Sequence, residues 1–225
     1  MLFEKGPAKA AIQAAVCVSD PLSIDCVPLA ADAIAQRLPG ALWCASPNSD
    51  ERPDPADLAL IVIHNISLPP DSYDAHPDAP EGSPPKSYID DLFLNRLDPA
   101  AHPYFASIAG LQVSAHLCIF RDGRIHQYAA FDRRAWHAGA STWQGRSRCN
   151  DFSIGIELEG SDTRPFTDAQ YTALIDTIRW LQTRYPQLPR EAITGHSDIA
   201  PGRKTDPGPH FDWPRLRTAL GIATP

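Results

Sequence analysis

The chain's 225 residues, 43% hydrophobic and 21% charged, suit one globular domain with a decorated terminus. A formal net charge of −7 leaves no basic stripe for nucleic acid, and no apolar run approaches the roughly 20 residues that cross a bilayer. Five cysteines, odd in number and without C-x-x-C pairing, read as reduced thiols rather than a disulfide framework.

Residues 1–40 read as an N-terminal extension holding one helix, over 30–38, ended by Pro39-Gly40. Lys5 and Lys9 ahead of an alanine-rich stretch have the outline of an export signal. Glu4 and Gln13 interrupt it, and a short amphipathic arm is the better reading. After a polar loop, residues 58–64 form an apolar run expected as a strand buried on both faces and stopping at Asn65. Pro69-Pro70 opens a long loop to Lys86, read as a surface insertion rather than a lid. Residues 88–94 predict a helix capped by Ser87. Residues 113–120 and 124–128 predict strands joined by an Asp122-Gly123 hairpin turn.

Residues 153–159 alternate Ile154, Ile156 and Leu158 with Gly155, Glu157 and Glu159, so period two places both carboxylates on one strand face. Residues 168–185 give the clearest helix, with a Thr167/Gln170 capping box, an apolar stripe and Pro186 as its stop. A last helix over 213–220 takes Asp212 as its cap. Interleaved strands and helices predict an α/β fold, a central and mostly β sheet flanked by helices.

Among eight histidines, His64 stands at the carboxyl end of the buried strand, where α/β sheets place functional groups. His196 opens a loop to Pro209 too rich in turn formers for strand or helix, yet dense in His, Asp, Lys and Arg. Two imidazoles and a carboxylate would leave zinc an open fourth position. The absence of H-E-x-x-H excludes a thermolysin-like helix. Pattern alone leaves Glu157 and Glu159 equal as acid–base candidates, and His102, His116 and His137 as alternative ligands. His76, His126 and His210 read as solvated, and Glu159, if not the base, as a supporting or surface carboxylate.

Six segments carry a resemblance: Val62-Ile-His-Asn-Ile-Ser-Leu-Pro-Pro70, Asp98-Pro-Ala-Ala-His-Pro-Tyr-Phe105, Val113-Ser-Ala-His116, Arg134-Ala-Trp-His-Ala-Gly139, Cys149-Asn-Asp-Phe-Ser-Ile-Gly-Ile-Glu-Leu-Glu-Gly160 and Thr194-Gly-His-Ser-Asp-Ile-Ala-Pro-Gly-Arg-Lys-Thr-Asp-Pro-Gly-Pro209. In order, over roughly residues 41–220, they resemble the zinc N-acetylmuramoyl-L-alanine amidases, a family that includes phage amidases and peptidoglycan recognition proteins. Within that family they resemble the branch acting on 1,6-anhydro-N-acetylmuramyl-L-alanine.

The resemblance implies a single catalytic domain over 41–225 with zinc on His64, His196 and Asp206; the phage and recognition relatives carry cysteine at the third place. It implies Glu157 as general base, Lys204 as oxyanion stabiliser, and substrate contacts from Asn65, Tyr104, Trp136, His137 and Arg148. An alternative for Arg148 is a surface ion pair. Gln112 departs from an arginine expected in some relatives. The implied setting is cytoplasmic recycling, a monomer acting on an anhydromuropeptide without nucleic acid or membrane. Two alternatives are an exported amidase of intact wall and a binding module that does not cut. The second would lose a zinc ligand, and all three residues are present.

Overall fold

The computed structural model describes residues 36–73 and 87–223. Most of the expected helix over 30–38, together with Cys17, Cys26, His76 and most of the 72–86 loop, lies outside the described residues. The strands are β1 (Leu42–Trp43), β2 (Ser49–Glu51), β3 (Leu60–Ile66), β4 (Leu117–Ile119), β5 (Ile125–Gln127), β6 (Arg133–Ala135), β7 (Thr142–Trp143), β8 (Arg146–Ser147), β9 (Ser153–Glu159) and β10 (Ile193–Gly195). The helices are α1 (Tyr88–Phe93), α2 (Pro103–Ser107), α3 (Asp168–Arg184), α4 (His196–Ile199) and α5 (Trp213–Leu220).

Six strands make the main sheet in the order β1-β5-β4-β9-β3-β10. Every neighbouring pair is parallel except the β4–β5 hairpin. This is the α/β sheet expected from the alternation of elements. Register decides where function can sit: His64 of β3 pairs with Glu157 of β9, and Gly195 of β10 pairs with Ile63. Three adjacent parallel strands therefore end together, and their carboxyl ends deliver His64, Glu157 and His196 to one place.

Alternation divides the two faces. Ile61, Ile63, Ile154, Ile156 and Leu158 join Leu174, Ile178 and Leu181 of α3 and Leu216 and Leu220 of α5 in one core. Leu60, Val62, Cys149, Phe152 and Ile199 pack on the opposite face. The capping box on α3 forms as expected, Thr167 accepting from Gln170 N and Gln170 reaching back to Thr167 N at 3.0 Å. Leu174 is fully buried, so truncation to alanine costs about 2–5 kcal/mol. Among the described residues no helix is long and apolar enough to cross a membrane.

Four expectations need correction. β3 continues through Asn65 to Ile66, because both still pair with β9. β4 begins only at Leu117; upstream, the Ser114 N–H turns aside to Trp136 O. The segment from Ile193 is a short strand followed by one helical turn, His196–Ile199, closed by Asp198 accepting from Gly195 N at 3.0 Å and Thr194 Oγ1 at 2.8 Å. His126 is buried, not solvated; Glu159, left open as a supporting or a surface carboxylate, is interior. The described cysteines Cys44, Cys118 and Cys149 are free thiols, as expected.

Candidate active site

A cleft of about 340 Å³ opens at the carboxyl ends of β3, β9 and β10, lined by His64, Asn65, Tyr104, His137, Glu157, His196, Lys204 and Asp206 among others. Two imidazoles turn the same nitrogen towards one atom: His64 Nδ1 lies 2.9 Å and His196 Nδ1 3.1 Å from Asp206 Oδ2. Their ligand atoms all fall within 4.8 Å of one another. On the neighbouring strand and lining the same cleft, Glu157 is buried and its Oε2 has no hydrogen-bond partner among the described residues. Two ring nitrogens and a carboxylate oxygen form a donor set suited to a borderline cation such as zinc. An unpartnered carboxyl oxygen in the same cleft leaves Glu157 free to take a proton from a water there. These residues fit a divalent metal.

The electrostatics agree. Burial pushes His64 down to about 4, so the ring is neutral at pH 7 and free to ligate. Burial works against the Asp206 carboxylate, yet the contacts from His196 and His64 outweigh it and hold the group well below the usual range. Glu157 moves the other way. Burial raises it well above an ordinary carboxyl, the charge of Asp206 adds to that, and Lys204 opposes it.

The expected substrate contacts divide. Asn65 lines the cleft, but its amide nitrogen donates to Asp162 Oδ1 at 2.8 Å and Pro207 O at 3.0 Å, tying down the loop that carries Asp206. Tyr104 stands exposed on the rim, carried by α2, which His102 caps through Nδ1 at 3.1 Å. His137 lines the wall with Nδ1 2.9 Å from His64 Nε2. Trp136 and Arg148 are not among the cleft's lining residues. Trp136 Nε1 donates to Asp50 at 3.1 Å, and the Arg148 guanidinium pairs with Asp151 at 3.2 Å.

Glu159 differs from Glu157 in the same way: its Oε2 accepts from Arg121 N at 3.0 Å, away from the cleft. His116 is fully buried, accepting from Gly155 N at 3.0 Å and facing Arg52. Sequence reasoning missed Ser153 and Arg203. Ser153 shares the strand face of Glu157, so the period-two pattern already contained it. Arg203 braces the His196 loop against Ala138 O and Ala140 O at 2.7 and 2.8 Å.

A His–His–Asp donor set and a buried carboxyl in one cleft are the parts that metal-assisted hydrolysis uses. The chain belongs to the N-acetylmuramoyl-L-alanine amidase family, which matches it over residues 54–209. Within that family it is similar to the 1,6-anhydro-N-acetylmuramyl-L-alanine amidases AmpD. That of Citrobacter freundii is 56% identical over 186 residues, 83% of this chain and 90% of the relative. A crystal structure of a selenomethionine AmpD derivative has a TM-score of 0.74 at 53% identity, covering 84% of this chain and 98% of its own. Escherichia coli AmiD, solved with the substrate anhydro-N-acetylmuramic acid-L-Ala-D-γ-Glu-L-Lys, is 30% identical with a TM-score of 0.52, covering 75% and 59%.

Proposed function

We propose that the chain hydrolyses the amide between the lactyl group of 1,6-anhydro-N-acetylmuramic acid and L-alanine, with zinc held by His64, His196 and Asp206. The observation that carries this reading is the convergence of both Nδ1 atoms on Asp206 Oδ2 in one cleft with the unpartnered oxygen of Glu157. The likeness to AmpD supports the bond and the sugar. The AmiD complex, whose ligand carries an anhydro sugar and L-alanine, supports the substrate class.

Zinc in such a set supplies Lewis acidity at the scissile carbonyl and makes water a stronger acid near neutral pH. Glu157 accepts the proton of the attacking water and returns it to the departing alanine nitrogen, the two halves of general acid–base catalysis. Its burial serves the second half, since a carboxyl that favours its neutral form keeps the proton until the nitrogen needs it. Lys204, exposed on the cleft wall, faces the carbonyl oxygen as negative charge grows there. Tyr104 and His137 wall the substrate. Trp136 and Arg148 act, if at all, from outside the cleft lining.

We read residues 41–225 as the catalytic domain and 1–40 as an extension, and the protein as a cytoplasmic monomer in peptidoglycan recycling. Mass spectrometry of purified anhydromuropeptides incubated with the protein tests the reaction. Free peptide beginning in L-alanine, abolished by chelation and restored by zinc, is expected. Cleavage within the peptide stem would refute the assignment.

A further inference from the structure

Strand β9 presents Ser153, Gly155 and Glu157 in succession on the face that meets the cleft. Glu157 has its place in the chemistry; the other two both touch His137. Ser153 Oγ lies 3.2 Å from His137 Nε2. The imidazole lies over Gly155, where an added Cβ would stand 2.5 Å from the ring Cγ. At its other end, His137 Nδ1 lies 2.9 Å from His64 Nε2.

With a cation between His64 Nδ1 and Asp206, one arrangement of protons satisfies this row. The Ser153 hydroxyl donates to Cys149 O at 2.6 Å, an atom that only accepts, so its single proton is engaged. Towards His137 the hydroxyl can therefore only accept. His137 must carry its proton on Nε2, which leaves Nδ1 bare. His64 then donates its Nε2–H to that nitrogen, and its own Nδ1 lone pair is left for a cation seated between it and Asp206. His196 has no such single outer partner, because its Nε2 lies 3.0 Å from Ala138 O and 3.2 Å from the Arg203 guanidinium.

We propose that His137 and Ser153 are positioning residues that hold His64 in its Nε2–H tautomer, so that the Nδ1 lone pair is presented to the cation; this rests on the zinc reading above. Gly155 completes the device by leaving room for the ring. The pattern Ser-x-Gly-x-Glu along one strand thus sets a ligand's tautomer at one end and the acid–base group at the other. Outer partners of this kind fix ring orientation and tautomer in metal sites generally.

Zinc affinity of the full chain, measured by competition with a chromophoric chelator, separates the cases. His137→Leu is expected to weaken zinc about 10- to 100-fold, the usual range for losing an outer partner. In His137→Asn the carboxamide oxygen stands near the former Nδ1 and accepts from His64, so most of the affinity should return. Ser153→Ala, which frees the tautomer of His137 without emptying its place, should fall between wild type and His137→Leu. Equal affinities for the Leu and Asn variants, or wild-type affinity in both His137→Leu and Ser153→Ala, would overturn the proposal. In either case a loss of binding in His64→Ala leaves the zinc reading standing, whereas tight binding by His64→Ala removes that reading itself. Imidazole nitrogen NMR of the zinc-loaded wild type requires no variant. A protonated Nε2 and bare Nδ1 on His137 are expected, and a protonated Nδ1 on that ring would contradict the proposal.

Discussion

The groups His64–His196–Asp206 and Cys44–Asp90–His126 use the same vocabulary, a buried imidazole 2.9 Å from a carboxylate in each. In the second, Asp90 Oδ1 accepts from Tyr128 OH at 2.5 Å and from His126 Nδ1, while Arg124 faces His126 Nε2 at 3.4 Å. Burial pushes the Cys44 thiol up to about 12, so it stays protonated beside them. The Asp90 oxygen facing His126 is thus already met by two donors. Around Asp206 the proposed arrangement is reversed at His64, whose Nε2–H points outward to His137. A lone pair and a carboxylate then converge on a place that a cation fills. Residue types alone do not separate a metal site from a satisfied polar core; the placement of protons does.

The largest expected effect breaks the comparison if it fails. Asp206→Ala should lose both stoichiometric zinc and turnover, while His126→Ala keeps one zinc per chain by metal analysis. Glu157→Gln should keep its zinc and lose about 10²- to 10⁴-fold in kcat, the worth of a positioned acid–base group. Near-normal turnover in that variant would return the role to another residue. Asp90→Ala strips the acceptor from two buried donors, so urea unfolding should show about 1–3 kcal/mol lost, with zinc content unchanged.

An effect graded with pH concerns His116, which belongs to neither group. Burial, with the Arg52 charge adding, holds it down to about 3. The unfolded chain takes up the proton first, near the ordinary value of 6.5. Stability is therefore fully present above pH 6.5 and is lost as pH falls towards 3, by at most about 1.4 kcal/mol per unit for this one group. Unfolding of the zinc-free protein between pH 7 and 4.5 checks the sign, and a flat profile would contradict it.

The sequence made β9, α3 and the strand-end position of His64 legible, because each has a period or a cap within its own few residues. The short strands β1, β2 and β6 carry no such signal; they exist through pairing with distant segments, as Ser49 does with Ala135. His126 was misread for the same reason, since its partner Asp90 lies 36 residues away. Glu157 and Glu159 share a strand face, and only the cleft and the Arg121 N–H tell them apart. Trp136 and Arg148 sit inside family-like motifs, yet both side chains turn to aspartates. A motif marks a backbone position more securely than it marks where a side chain points.

The central claim is that one of the two groups, and only that one, holds the metal. Anomalous diffraction at the zinc edge from crystals of the zinc-loaded full chain tests it most directly. A single strong peak is expected between His64 Nδ1, His196 Nδ1 and Asp206 Oδ2, with none beside Cys44, Asp90 and His126. A peak at the second group, or none at the first, would contradict the account.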